Sequence, residues 1–263
     1  MIILPTMRGL LSGFSPLSLS PALWLDASDA STLYDATSGG SLVAADGAVA
    51  RWEDKSGNSR HATQATSGNR PLRKTSIANG RAVLLFDGSN DYLSTVAFAG
   101  SQTWTRFIVA ANLSQSQYKV LCGWGSAFDT PNPGADYIAV NSGKIEWIQN
   151  GGASTTKLSS YTSNSANSAN GTFLVLSQAC DGTHAGNVLL RNGTAPAATA
   201  NFSNAPGTLT KSSTAYGLGA FNGGSLPVNA YIAEVLHFNA ALTAGQQTQM
   251  RNYLGAKYGV AVS

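Results

Sequence analysis

Residues 230–259 read AYIAEVLHFNAALTAGQQTQMRNYLGAKYG, a strand running into a helix, and this pair decides the fold. In Ala230–Phe238 a period of two sets Tyr231, Ala233, Val235 and His237 opposite Ile232, Glu234, Leu236 and Phe238. Both sets carry apolar residues, so the strand is expected to be central and covered on both faces. The helix announces its own limits. Thr243 followed by Gln246 has the form of a capping box, and Gly259 stands where a helix ends in a left-handed residue. Between them Met250, Tyr253, Leu254 and Tyr258 recur at helical spacing on one face.

No second long helix is read anywhere upstream. Short apolar runs are punctuated instead by turn formers: Ala22–Asp26, Val49–Glu53, Arg81–Phe86, Thr103–Asn112, Tyr118–Trp124, Thr172–Cys180 and Ala215–Phe221. Asn141-Ser142-Gly143 separates Tyr137–Val140 from Lys144–Gln149 as a hairpin turn, and Asn192-Gly193 closes another turn after Asn187–Arg191. Ser154–Gly171, rich in Ser, Asn, Thr and Ala without a period, reads as an exposed loop with at most a weak strand. Strands following strands without intervening helices exclude a parallel α/β sheet and favour a sandwich.

Composition agrees. Only 11% of the 263 residues are charged, against roughly 25% in ordinary soluble domains. A surface built from neutral polar groups packs on other proteins with little charge to desolvate, which suits an assembled or secreted protein. A net charge of +3 is too mild to imply nucleic acid, and the densest basic group (Arg70, Arg73, Lys74 and Arg81) reads as a solvated loop. Cys122 and Cys180 each lie within apolar runs and look like small buried hydrophobes, with a disulfide left open. His61, His184 and His237 are too isolated for a zinc site. Met1–Leu11 is interrupted by Pro5, Arg8 and Gly9, so neither a signal peptide nor a membrane span is expected. Pro16–Pro21 then divides an N-terminal arm, residues 1–21, from a domain over residues 22–263. Such an arm either docks on another subunit or folds back on its own domain.

Four stretches resemble LamG-like domains of the concanavalin A-like lectin/glucanase group, which occur in many bacterial and phage proteins. They are Ala22-Leu23-Trp24-Leu25-Asp26-Ala27-Ser28-Asp29; Trp52–Asn58 with His61–Gln64; Phe86-Asp87-Gly88-Ser89-Asn90-Asp91-Tyr92-Leu93; and Tyr231–Val235 with Phe238, Ala241–Thr243 and Tyr253–Gly259. They cover residues 22–96 and 228–260, while residues 97–227 match only in strand rhythm. The resemblance implies an all-β, concanavalin A-like jelly-roll β-sandwich of two antiparallel sheets with one C-terminal helix. Its function would lie on the concave face or the rim. It does not imply one activity, because this fold hosts lectins, glycosidases, adhesins and structural modules.

Catalysis is not expected. Glycosidases need two facing carboxylates at a fixed separation. Glu53, Glu146 and Glu234 have no acidic residue two or four positions away, although a pair drawn from two strands stays open. Asp54 and Asn58 could offer oxygen ligands to Ca²⁺, or could simply hydrogen-bond their own turn. Trp124, Tyr137 and Trp147, with Asp136 and Asn150 as polar partners, could form an aromatic platform for a sugar, or fill the core. The functional expectation is a phage virion structural protein, a capsid decoration or a tail or fibre adhesin, assembled in the host cytoplasm. It would be a homo-oligomer, bound to other virion proteins through the arm and weakly to cell-surface polysaccharide, without nucleic acid or membrane. The alternative is a bacterial carbohydrate-binding or adhesive module of a secreted system.

Overall fold

The computed structural model describes residues 13–113, 118–125, 135–141, 144–150, 157–163, 171–182, 188–195, 198–201 and 214–263. In chain order the strands are β1 (Leu23–Asp26), β2 (Leu33–Tyr34), β3 (Arg51–Trp52), β4 (Ala62–Thr63), β5 (Leu72–Ala78) and β6 (Arg81–Asp87). There follow β7 (Leu93–Ala97), β8 (Trp104–Asn112), β9 (Lys119–Trp124), β10 (Asp136–Asn141), β11 (Lys144–Asn150) and β12 (Lys157–Ser163). The last are β13 (Leu174–Cys180), β14 (Val188–Arg191), β15 (Ala198–Asn201), β16 (Ala215–Leu218) and β17 (Asn229–Phe238), before the helix α1 (Ala244–Tyr258). They form a seven-stranded sheet, β14-β13-β8-β17-β6-β5 with β1 also on β17, and a ten-stranded sheet, β15-β12-β11-β10-β9-β16-β7-β4-β3-β2. All these strand pairings are antiparallel. The expected jelly-roll sandwich is therefore the observed fold, with one α-helix among the described residues. One expectation changes: within Ser154–Gly171, β12 is a full strand between β11 and β15.

The main core lies between the sheets. Leu23, Leu25, Leu84, Phe86, Ile108 and Val235 from one sheet meet Trp52, Leu93, Cys122, Trp124, Ile138 and Leu218 from the other. Close approach at one crossing demands glycine: a Cβ on Gly219, whose φ is +77°, would sit 2.0 Å from the Phe86 ring. A second core covers the opposite face of the seven-stranded sheet, where α1 lays Met250, Leu254 and Tyr258 on Trp24, Val83, Phe107, Leu236 and Phe238. The molecule thus has three layers. Helix capping is as read: Thr243 Oγ1 accepts from Gln246 N, Gln246 Oε1 accepts from Thr243 N, and Gly259 adopts φ +70°.

Strand β17 is central and buried on both faces, as expected, but its alternation is broken. The register against β8 shifts between Ile232 and Glu234, a β-bulge. Tyr231 and Ala233 consequently share the helix side with Glu234, Leu236 and Phe238, while Ile232, Val235 and His237 face the sandwich interior. The bulge corrects the simple period-two assignment for Tyr231 and Ala233, which join Glu234, Leu236 and Phe238 under the helix.

Of the N-terminal arm, residues 1–12 lie outside the described residues. The remainder lies on its own domain. Pro16 is buried, Phe14 and Leu19 pack on the helix-side core, and the Phe14 ring meets Tyr253 edge-on at 5.6 Å.

Candidate functional site

The residues expected to form a sugar platform divide between two faces. Trp124, Asp136 and Trp147 do come together, but inside the sandwich around Arg106. Asp136 accepts from Trp147 Nε1 at 3.1 Å, and Arg106 Nη2 lies 3.3 Å from its Oδ1. The guanidinium also donates to Gln178 Oε1 and lies over the Trp104 and Tyr216 rings. Burial opposes the charge of Arg106, while the neighbouring Tyr216 and Asp136 favour it and raise its pKa. Burial likewise pushes up the pKa of the Cys122 thiol and of Tyr216, whose hydroxyl donates to Cys122 Sγ. Tyr137 points to the other face of the ten-stranded sheet and packs on Phe221. Asn150 pairs through its backbone with Lys157, and its side chain lies outside the described residues. Since Trp124, Asp136, Tyr137 and Trp147 are at most 2% exposed, they form core and not a surface platform.

The Asp54 loop is organised as a turn. Asp54 Oδ1 accepts from Trp24 N and Ser56 N, and Oδ2 accepts from Ser56 Oγ and Arg60 N. Asn58 Nδ2 donates to the carbonyls of Pro21 and Ala22. This carboxylate tethers its own loop to β1, so a calcium ion entering there would displace four hydrogen bonds. Among the described residues no group of three or more His, Cys, Asp or Glu could hold a metal ion.

A different cluster reaches the surface. Asp26 on β1 lies directly across from Glu234 on β17, and the Glu234 carboxylate faces α1. Lys257 of α1 closes on both, 2.8 Å from Asp26 Oδ2 and 2.6 Å from Glu234 Oε2. Trp24 Nε1 and Tyr258 OH also donate to Glu234, at 2.7 and 2.8 Å. Lys55 then bridges Asp26 and Asp29 at 2.9 and 2.7 Å. Burial alone would raise the pKa of Asp26, but the ammonium groups of Lys257 and Lys55 overcome it and hold it at about 2. For Glu234 burial prevails, reinforced by the charge of Asp26, and its pKa is raised. A cross-strand carboxylate pair therefore exists, the arrangement left open by the sequence. Glu234, however, is fully buried beneath Trp24, Tyr258 and Lys257. The pair is an internal ionic clamp between sheet and helix.

Above the clamp opens a recess of about 590 Å³, lined by Phe14, Asp29, Lys55, Arg81, Tyr253 and Lys257 among others. It combines aromatic rings with charged groups at one edge of the helix. Simple spacing misses this site because its members are scattered over residues 14–257. A signal was present nonetheless: Asp26, Lys55, Glu234 and Lys257 come from three of the four stretches that carry the family resemblance.

No family model matches the sequence, and neither does any curated protein sequence. Solved structures do match in fold. The receptor binding domain of botulinum neurotoxin D aligns with a TM-score of 0.57 at 12% identity, over 90% of this chain and 54% of that one. The binding domain of Paraclostridial Mosquitocidal Protein 1 gives 0.59 at 11%, over 90% and 53%. This chain thus spans about half the length of either. Domain 4 of AbnA, a GH43 extracellular arabinanase from Geobacillus stearothermophilus solved with arabinotriose, gives 0.53 at 14% identity, over 76% of this chain and 92% of that domain. At such identities the likeness establishes a shared β-sandwich fold and nothing finer.

Proposed function

We propose that this chain is a glycan-binding adhesive module and that the recess beside α1 is its binding site. The observation that carries the reading is the chemistry of that recess: the Tyr253 and Phe14 rings stand beside Asp29, Lys55 and Arg81 in an open cavity. Sugars present both apolar ring faces and hydroxyls, so an aromatic surface next to charged hydrogen-bonding groups suits them. The fold supports it too, since one structure of the same architecture is a domain solved with arabinotriose. For the carrier of the module we propose a phage particle. The support is the low charge of the chain and the resemblance to domains used in phage proteins.

A glycan array tests the binding function, with a variant that fills the recess as control. Ala256 is exposed on the recess wall, so Ala256→Trp blocks the cavity without removing a hydrogen bond. Wild type is expected to bind a defined set of saccharides, and the variant to lose them at unchanged melting temperature. Silence of the wild type across the array, or equal binding by both proteins, sinks the proposal.

A further inference from the structure

Resting on the glycan-binding reading, we infer that the recess selects an anionic saccharide and that Arg81 reads its negative group. The argument comes from which hydrogen-bonding capacity is already used. Asp26 Oδ1 accepts from the backbone N–H and hydroxyl of Ser28, and its Oδ2 lies against both lysines. Asp29 is equally engaged, by the N–H and hydroxyl of Ser31 on one oxygen and by Lys55 on the other. Lys257 is bound to Asp26, Glu234 and the Tyr253 hydroxyl. The carboxylates that line the recess thus have little acceptor capacity left for sugar hydroxyls.

Arg81 differs. It stands exposed at the start of β6, and its Nε donates to the carbonyl of Lys257 at 3.3 Å. That bond fixes the guanidinium at the rim of the recess. Its two Nη groups have neither an ion pair nor a hydrogen bond among the described residues, which leaves four N–H donors free. Three cations line the cavity, Lys55, Arg81 and Lys257, and both lysines are engaged by acids, namely Asp26, Asp29 and the buried Glu234. Arg81 is the cation of the recess with no acid paired to it among the described residues, and its planar fork has the geometry that pairs bidentately with a carboxylate or a sulfate. Tyr253, with Lys257 Nζ 5.5 Å from its ring centroid and Phe14 packed against it at 5.6 Å, lines the same recess and gives it an aromatic wall.

The test measures affinities by calorimetry for matched pairs: 3′-sialyllactose, 3′-sulfated lactose and lactose, then trigalacturonate and galactotriose. Arg81→Gln and Arg81→Lys are measured beside wild type. At least one anionic sugar is expected to bind about tenfold more tightly than its neutral partner, the scale of one charge-assisted bidentate contact. Comparing the sialylated and uronate arms with the sulfated arm shows which anion is read. Arg81→Gln should bring the affinity for the anionic sugar down to that of its neutral partner in the same variant, and Arg81→Lys should restore only part of the difference. Equal affinity for anionic and neutral partners, or a preference that survives Arg81→Gln, overturns the inference and leaves glycan binding intact. If no saccharide binds, here or on the array, both fall together.

Discussion

At the residue scale the chemistry turns on Lys257. One ammonium group neutralises two carboxylates that the strand register forces to be neighbours. Lys257→Met keeps most of the stem but leaves Asp26 and Glu234 as adjacent acids, with only Lys55 to answer Asp26. A broken buried pair typically costs about 3–5 kcal/mol. The pH dependence has a definite sign. In the wild type Asp26 is held at about 2 against an ordinary 3.8, so its contribution of about 2 kcal/mol is complete above the ordinary value and disappears as pH falls toward 2. Glu234, with a raised pKa, acts in the opposite sense: its contribution is complete below 4.5 and is lost as pH rises through its folded value. Without Lys257 both acids take up protons readily, so the penalty of Lys257→Met should be smaller at pH 4 than at pH 7. Urea denaturation at both pH values measures it. An equal penalty would show that Lys257 acts by packing and not by charge.

At the element scale the helix and the last strand teach opposite lessons. Both ends of α1 were legible, because capping is local chemistry carried by residues four apart or fewer. Thr243→Ala removes the side-chain acceptor for Gln246 N and should cost about 1 kcal/mol. Gly259→Ala forces a Cβ into a left-handed residue and to 3.1 Å from Asn79, for a further loss of about 1 kcal/mol. Denaturant midpoints of the two variants check both values, and an unchanged midpoint for either would remove that cap from the account. The bulge in β17 was not legible. Its register shift follows from pairing with β8, more than a hundred residues away, and nothing around Ala233 and Glu234 marks it. That hidden shift decides which face Tyr231 and Ala233 join, and it brings them to the side of Glu234 and the clamp. Strand β12 reads from its sequence as no more than a weak strand for a related reason: backbone pairing with β11 and β15 holds it, and its polar sequence carries no period.

At the scale of the whole molecule, three stacked layers enclose both cysteines. Cys122 and Cys180 are buried and form no disulfide, which answers the question that their spacing left open. A thiol reagent should therefore modify neither in the native protein and both in denaturant. Rapid labelling of the native chain would contradict the packing. The sandwich itself was legible because strand rhythm and turn chemistry are local, whereas the recess was not, because its parts meet only once the sheets have closed. The aromatic residues near turns misled for the same reason. Trp124 and Trp147 are large enough to fill the interior, and only the pleat determines which way they face. The central place of β17 also bears on how the protein is made. A strand near residue 230 lies between β8 and both β6 and β1, all drawn from the first 112 residues. While the ribosome is still translating, those earlier strands wait with open edges for a partner not yet synthesised. At 5–20 residues per second that wait is on the order of ten seconds. Closure of this sheet has to await the emergence of residues 229–238, and the nascent chain must be kept from pairing with its neighbours on the polysome until then.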